Sequence, residues 1–357
     1  MRINDILPPK PAFPAWAGPA ERLRYLLRYA TRAPSRHNAQ PWLFEIEGSE
    51  LRVYVDPRRA LKSADPHGRE AAMSCGAAVE NLCLAAAWFG HQADVEARDP
   101  GSEQPIAVVR LAGPWHPTPA EAELFHAIPR RRTALAFHEY PVEPEDMASL
   151  AGKAGGDAVL RRIPRWLARQ VAELVAEADA VHWASARFRT ELALWTRRHP
   201  RRLEGLAPGA RHGPEGPARL LRRLLRRAET GGWGAELDRR CDHRTRTMLL
   251  LSTRDDSPRE WLGAGRAMQR LLLRAAARGL AVAFLSQPIE VPDVRRRLRR
   301  EVGEPGFPQL LLRVGYGPQP RATPRRPVEL VLRAYSTDWP QAYDSMPAEI
   351  VFRRVEM

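Results

Sequence analysis

The chain has 357 residues, enough for about two domains and for a core that needs neither disulfides nor metals. Its composition, 44% apolar and 27% charged, is that of an ordinary globular protein and excludes wholesale disorder. The formal charge of +14 admits anionic ligands or nucleic acid. Three scattered cysteines argue against a disulfide framework or a zinc site and make a reducing cytoplasm the expectation.

No stretch approaches the roughly 18 apolar residues of a membrane span, and no apolar signal core opens the chain, so no membrane association is expected. Of the 56 cations, 53 are arginine, because lysine stands only at 10, 62 and 153. Between Arg197 and Arg246 there are 14 arginines against six acids. Such a stripe suits phosphate neutralisation, so nucleic-acid binding is a lesser reading. No zinc finger, RNP-type motif or basic zipper accompanies it, and a solvated basic insert is the plainer one.

Residues 1–20 hold five prolines and read as an extended arm. Glu21 to Ala33 reads as a helix with Leu23, Leu26, Leu27 and Ala30 on one face, ended by Pro34. Leu43–Ile46 and Leu51–Val55 read as a hairpin about Gly48. Ala71 to Phe89 is an apolar helix stopped by Gly90, and Ile106 to Leu111 a buried strand. Beyond a linker at 114–119, a helix over Ala120–Ile128 leads into Arg130-Arg131-Arg132-Thr133 and an extended stretch to Pro141. Pro144 opens a short helix, and Pro164 to Arg189 reads as one longer helix. A weakly periodic section over 197–246 includes a basic helix near 217–228. Thr247–Ser252 is a strand, Pro258–Arg278 a helix with Asp255-Asp256 as its cap, and Gln309–Val314 a strand. The last 25 residues carry little pattern.

One internal repeat stands out. Gly76 to Gly90 aligns without gaps on Gly265 to Gly279, with seven of 15 positions identical. Each copy is followed by an extended segment. The repeat predicts two related α+β halves joined near 112–120, or two Ala-rich buried helices that converged.

Three segments carry candidate chemistry. Ala33-Pro34-Ser35-Arg36-His37-Asn38-Ala39-Gln40-Pro41-Trp42 is a proline-bracketed loop dense in donors and acceptors. It can hydrogen-bond a planar heteroaromatic, or its polar groups can satisfy the local backbone. Arg130-Arg131-Arg132-Thr133 suits a phosphate, or is a solvated basic helix end. Thr323-Pro324-Arg325-Arg326-Pro327 can supply a second clamp on the same anion. The histidines show no metal-type pairing, and no Gly-x-Gly-x-x-Gly follows a strand.

Together these segments resemble the nitroreductase family of flavoproteins. Pro34-Ser35-Arg36-His37-Asn38-Ala39-Gln40-Pro41-Trp42 is similar to the family's Pro-Ser-x-x-Asn-x-Gln-Pro-Trp signature. Arg131-Arg132-Thr133 with Ala136-Phe137 resembles its Arg-Arg-Ser opening, Gly279 to Gln287 its helix-to-strand passage along the flavin, and Arg325-Arg326-Pro327 its C-terminal phosphate-binding strand. Order and duplication resemble the tandem, Acg-type branch, in which one chain imitates the usual homodimer.

The resemblance implies an α+β tandem nitroreductase-like fold, with two related halves forming an intramolecular pseudo-dimer. The halves are 21–115 and 120–332, the second with an insert at about 190–246 that can act as a lid. FMN is the implied cofactor, NAD(P)H and a nitroaromatic, quinone or similar small molecule the implied partners, and a monomeric pseudo-dimer the implied assembly. Arg131, Arg132 and Arg325, with Arg326 as a fourth, are expected to neutralise the phosphate, and Thr133 to bond phosphate or ribityl oxygen. Pro34, Ser35, Arg36, Asn38 and Gln40 are expected along the ring or ribityl chain, and Leu285, Ser286 and Gln287 beside N5 and the pyrimidine edge. No protein nucleophile and no metal are implied.

The loop occurs only in the first half and the arginine opening only in the second. One complete site, a degenerate second one and one FMN per chain are therefore expected. Two departures from the family pattern stand out: Leu135 occupies a position often basic, and Ser286-Gln287 replaces an acidic-glycine pair. The rival implication is a non-catalytic flavin-binding or flavin-sequestering protein with an occluded site.

Overall fold

The computed structural model describes residues 13–99, 104–134, 136–150, 158–196, 202–206 and 247–333. Helix α1 (Pro19–Ala30) starts where Pro19 presets the backbone, with Glu21 in its first turn, and buries Leu23, Leu26, Leu27 and Ala30. It ends at Ala30, earlier than the sequence suggests, because Thr31–Ala33 tighten into a turn ahead of Pro34.

Strands β1 (Trp42–Glu47) and β2 (Glu50–Val55) form the expected hairpin, with Gly48 at a φ of 58° in the turn. Helix α2 (Arg69–Trp88) is followed by β3 (His91–Ala97) and β4 (Ala107–Pro114), and the antiparallel sheet has the order β1-β2-β4-β3.

Helices α3 (Pro119–Ala127) and α4 (Pro144–Leu150) precede a second antiparallel sheet. Its strands are β5 (Val159–Arg162), β6 (Thr247–Thr253), β7 (Ala281–Phe284) and β8 (Phe307–Gly315), in the order β5-β6-β8-β7. The long helix α7 (Pro258–Ala277) joins the second and third strands here, as α2 does in the first sheet.

Several sequence expectations are corrected. The helix expected over Pro164–Arg189 is a short 3-10 turn followed by α5 (Ala168–Ala184) and α6 (Ala186–Trp195). Ser185 breaks it by leaving helical geometry and accepting a hydrogen bond from the Phe188 amide at 3.3 Å. Ser257, not the Asp255-Asp256 pair, caps α7, and Asp256 instead pairs with Arg295. The edge strand β5 and two helices after β7, α8 (Gln287–Glu290) and α9 (Pro292–Glu301), add to the elements expected from sequence. Helix α2 has the length and hydropathy of a membrane span, against the expectation from sequence, yet it is buried as a core helix. The basic helix near 217–228 and the terminal tail beyond 333 lie outside the described residues.

The repeat acquires a physical meaning where α2 crosses α7. A Cβ on Gly76 would lie 2.1 Å from the Leu262 carbonyl oxygen, and one on Gly265 would lie 2.0 Å from that of Met73. Each repeat-equivalent glycine thus abuts the backbone three residues before the other, so the two contacts are reciprocal. Only glycine permits two helix backbones to approach this closely. Beside the crossing, fully buried Glu80 pairs with Arg266 at 3.0 Å and with Arg270, and Gln269 donates to Asn81 at 2.7 Å.

The end of the described chain returns to the first sheet. Phe44 N–H donates to Val331 O at 2.8 Å and Arg333 N–H to Phe44 O at 2.7 Å, covering the outer edge of β1. Residues 323–326, just upstream, are thereby carried past the 34–42 loop.

Candidate functional site

The loop between α1 and β1 is strained. His37, Asn38 and Gln40 adopt φ values of 50°, 54° and 54°. Such conformations cost non-glycine residues about 1 kcal/mol or more each and persist only where surroundings over-determine them. The surroundings do so here. Ser35 Oγ accepts from Gln40 N–H at 2.9 Å, Asn38 N–H donates to Ser35 O at 3.0 Å, and Arg59 donates to Ala39 O at 3.0 Å.

The stretch Thr323–Arg326 interlocks with this loop. Arg325 donates through Nη1 to Asn38 Oδ1 at 2.9 Å and through Nε to Ala33 O at 3.2 Å. Asn38 Nδ2 returns a bond to Pro324 O at 3.2 Å, and Gln40 Oε1 accepts from Arg326 N–H at 2.8 Å. The Gln40 amide donates to Leu203 O at 2.7 Å, and Gly205 N–H donates to Asn38 O at 3.3 Å. The side-chain amides of Asn38 and Gln40 are therefore engaged with the backbone of Leu203, Pro324 and Arg326 and with the Arg325 guanidinium.

After α3, the segment Arg131–Ala134 docks on the second sheet through Ala134 N–H to Val282 O at 2.8 Å. Arg132 folds back onto the carbonyls of Pro129 and Arg131. Arg131 is buried, and its Nε and Nη1 find no hydrogen-bond partner among the described residues. Burial, then the neighbouring Arg132, pushes Arg131 down to about 10. Burial, then Arg131, Arg32 and Arg132, holds Arg325 well below the usual guanidinium range, and Arg32 is lowered by burial and Arg132. Guanidinium groups do not release their proton in proteins. The shifts therefore express a cluster of buried like charges, without a carboxylate among its perturbing neighbours, that calls for an anion. Half-buried Thr133 follows directly in the chain.

Arg36 has a different role. Its buried guanidinium pairs with Glu290 at the end of α8 and lies 3.4 Å from Glu70 at the start of α2. Glu290 is pushed up by burial and by Glu70, against the pull of Arg36. His182 Nε2 sits 3.5 Å from Glu290, and burial with the Arg36 charge lowers the imidazole to about 4. Arg36 thus ties the loop to α8 rather than standing as a free cation. At the other end of α8, Leu285 N–H bonds Leu311 O at 2.9 Å, Ser286 is buried, and Gln287 Oε1 is buried without a partner among the described residues.

The structure bonds Asn38 to Arg325 and Gln40 to Arg326, places Arg131 and Arg132 near enough for their charges to lower Arg325, and links Leu285–Gln287 to the loop through Glu290. Sequence reasoning missed Arg32, Glu70, His182 and Glu290. Arg32 adjoins the loop motif, but in a chain this rich in arginine the residue type alone carried no signal. Of the segment 149–156, where a second, degenerate site is expected, residues 151–156 lie outside the described residues, as does most of the arginine-rich stretch. Among the described residues no cluster of three or more metal-type ligands occurs.

A model of the nitroreductase family matches residues 128–316. The chain is 34% identical over 330 residues to a Mycobacterium tuberculosis protein named "Putative NAD(P)H nitroreductase Rv3131", covering 90% of this chain and 92% of that one. It is 28% identical over 336 residues to "Putative NAD(P)H nitroreductase acg" of the same organism, covering 88% and 96%. Among solved structures, the FMN-dependent nitroreductase NfnB from Mycobacterium smegmatis in complex with NADPH aligns with a TM-score of 0.37 and 17% identity, over 61% of this chain and 98% of that one.

Proposed function

The chain belongs to the nitroreductase family, and we propose that it is an FMN-dependent NAD(P)H oxidoreductase whose flavin phosphate is held by Arg131, Arg132 and Arg325. The observation that carries this reading is buried Arg131, whose Nε and Nη1 are orphaned amid other guanidiniums. A phosphate dianion supplies both the charge and the acceptors that this corner lacks. When bound, the flavin supplies hydride chemistry between a nicotinamide and a nitroaromatic, quinone or similar acceptor.

The protein's part is binding and positioning. Thr133 adds a hydroxyl to the phosphate corner. Ser35 and the Arg36–Glu290 pair fix the strained loop, and Asn38 and Gln40 fix residues 324–326, so that Arg325 is presented to the anion without rearrangement. The unpartnered Gln287 Oε1 offers an acceptor to a flavin ring N–H. The identical strand orders and the reciprocal glycine contacts support a tandem pseudo-dimer, one half standing for each subunit of a dimer. The loop from one half and the arginines from the other then make one FMN site per chain.

A second reading, flavin sequestration without turnover, is favoured by one observation. Residues 202–206 sit directly on the loop, with Leu203 and Gly205 bonded to Gln40 and Asn38 and Glu204 paired with Arg59. A visible spectrum of the purified protein with its flavin-to-chain ratio tests the cofactor, the expected ratio being one. Anaerobic stopped-flow mixing with NADPH separates the two readings. Bleaching of the yellow colour supports the oxidoreductase, and persistence of the colour over minutes supports sequestration.

A further inference from the structure

We propose that Arg32, from the first half, is a fourth guanidinium of the phosphate cradle beside Arg131, Arg132 and Arg325. The inference rests on the FMN reading above and extends it to a residue outside the motif-bearing segments. Three observations carry it. Arg325 Nε donates to the carbonyl of Ala33, the residue next to Arg32, which sets the Arg325 guanidinium beside the backbone at Arg32. Arg32 Nε is buried without a hydrogen-bond partner among the described residues. Its charged surroundings are cationic: Arg132 repels it, and it in turn repels Arg325.

A cation in that setting opposes folding of the ligand-free protein and contributes only when an anion is present. Because Arg32 comes from the first half and the other three from the second, the anion bridges the seam. Its binding fastens the halves together, in addition to any contact made by the ring.

Arg32→Gln tests this in the full-length protein stripped of flavin. FMN and riboflavin, which differ in the phosphate, are titrated by quenching of flavin fluorescence at fixed ionic strength. Arg32→Gln is expected to weaken FMN about tenfold, equivalent to about 1.4 kcal/mol, and to leave riboflavin unchanged. Arg32→Lys is expected to recover part of the FMN affinity. The ligand-free variant is expected to melt no lower than the parent, since a repelling charge has been removed, while FMN raises its melting temperature less.

Equal weakening of both flavins, a lower melting temperature without ligand, or failure to fold would each assign Arg32 a structural role and overturn the proposal. Unchanged FMN affinity would do the same. Arg131→Gln, titrated in parallel, separates this failure from failure of the parent reading. If Arg131→Gln loses FMN and Arg32→Gln keeps it, only the Arg32 assignment falls. If both keep it, the phosphate lies elsewhere.

Discussion

The α2–α7 crossing makes the sharpest mechanical prediction, through Gly265→Ala. The added Cβ would sit 2.0 Å from Met73 O, where a carbon needs about 3.3 Å. The obstacle is the backbone of a buried helix, so no rotamer change relieves it. Helix α7 must withdraw from α2 by roughly 1.3 Å, the difference between those distances. That withdrawal also stretches the Glu80–Arg266 pair and the Gln269–Asn81 bond. Overpacking alone costs about 1–3 kcal/mol. With the polar contacts loosened as well, a loss of about 3 kcal/mol is expected.

Gly76→Ala meets Leu262 O at 2.1 Å and should cost a similar amount. Because one withdrawal makes room for both methyl groups, the double variant should lose less than the two single losses combined, by about 1 kcal/mol or more. Urea unfolding monitored by tryptophan fluorescence measures all three variants. A loss under about 0.5 kcal/mol for either single variant, within ordinary surface scatter, would refute the close approach. Strict additivity would refute the idea that one helix spacing serves both contacts.

Other outcomes follow from the same contacts. Glu80→Ala strands the half-buried Arg266 and Arg270 against the fully buried face of α2, and should cost about 3 kcal/mol in the same assay. His182, with its folded value at about 4 below the ordinary 6.5, stabilises the protein fully above about pH 6.5 and loses that contribution as pH falls toward 4, up to about 3 kcal/mol. His182→Phe should flatten the stability profile over that window. Glu70, Glu290 and Arg36, which face the ring, stay in place, and an unchanged slope would assign the titration to them. Asp256, held at about 2 by Arg295, Gln309 and Trp261 against its burial, contributes stability above about pH 4 that is lost as pH falls toward 2. Asp256→Asn should lessen that acid sensitivity in an acid-unfolding titration. Arg131→Ala combined with Arg325→Ala should yield colourless protein, and full retention of flavin would contradict the phosphate assignment.

Much of this fold was legible in short stretches of sequence. The 3.6-residue rhythm of Leu23, Leu26, Leu27 and Ala30 marks α1, and the turn at Gly48 marks the first hairpin. The Gly76–Gly90 and Gly265–Gly279 match marked two long apolar helices, which cross at Gly76 and Gly265. The 34–42 loop stood out as a unit as well, because its proline-bracketed polar residues are contiguous in the chain.

What each polar group touches was not legible, because a partner far along the chain leaves no local trace. The amides of Asn38 and Gln40 hold backbone some 165 and 285 residues away. Arg36, expected along the ring or ribityl chain, is paired with Glu70 and Glu290 from two other elements. Local sequence thus determined where helices and turns form, through periodicity and the restricted backbones of proline and glycine. Only the folded arrangement decided which arginines are paired and which are left buried without a counter-charge, because Coulomb energy and desolvation depend on distance in space and not on spacing in the chain.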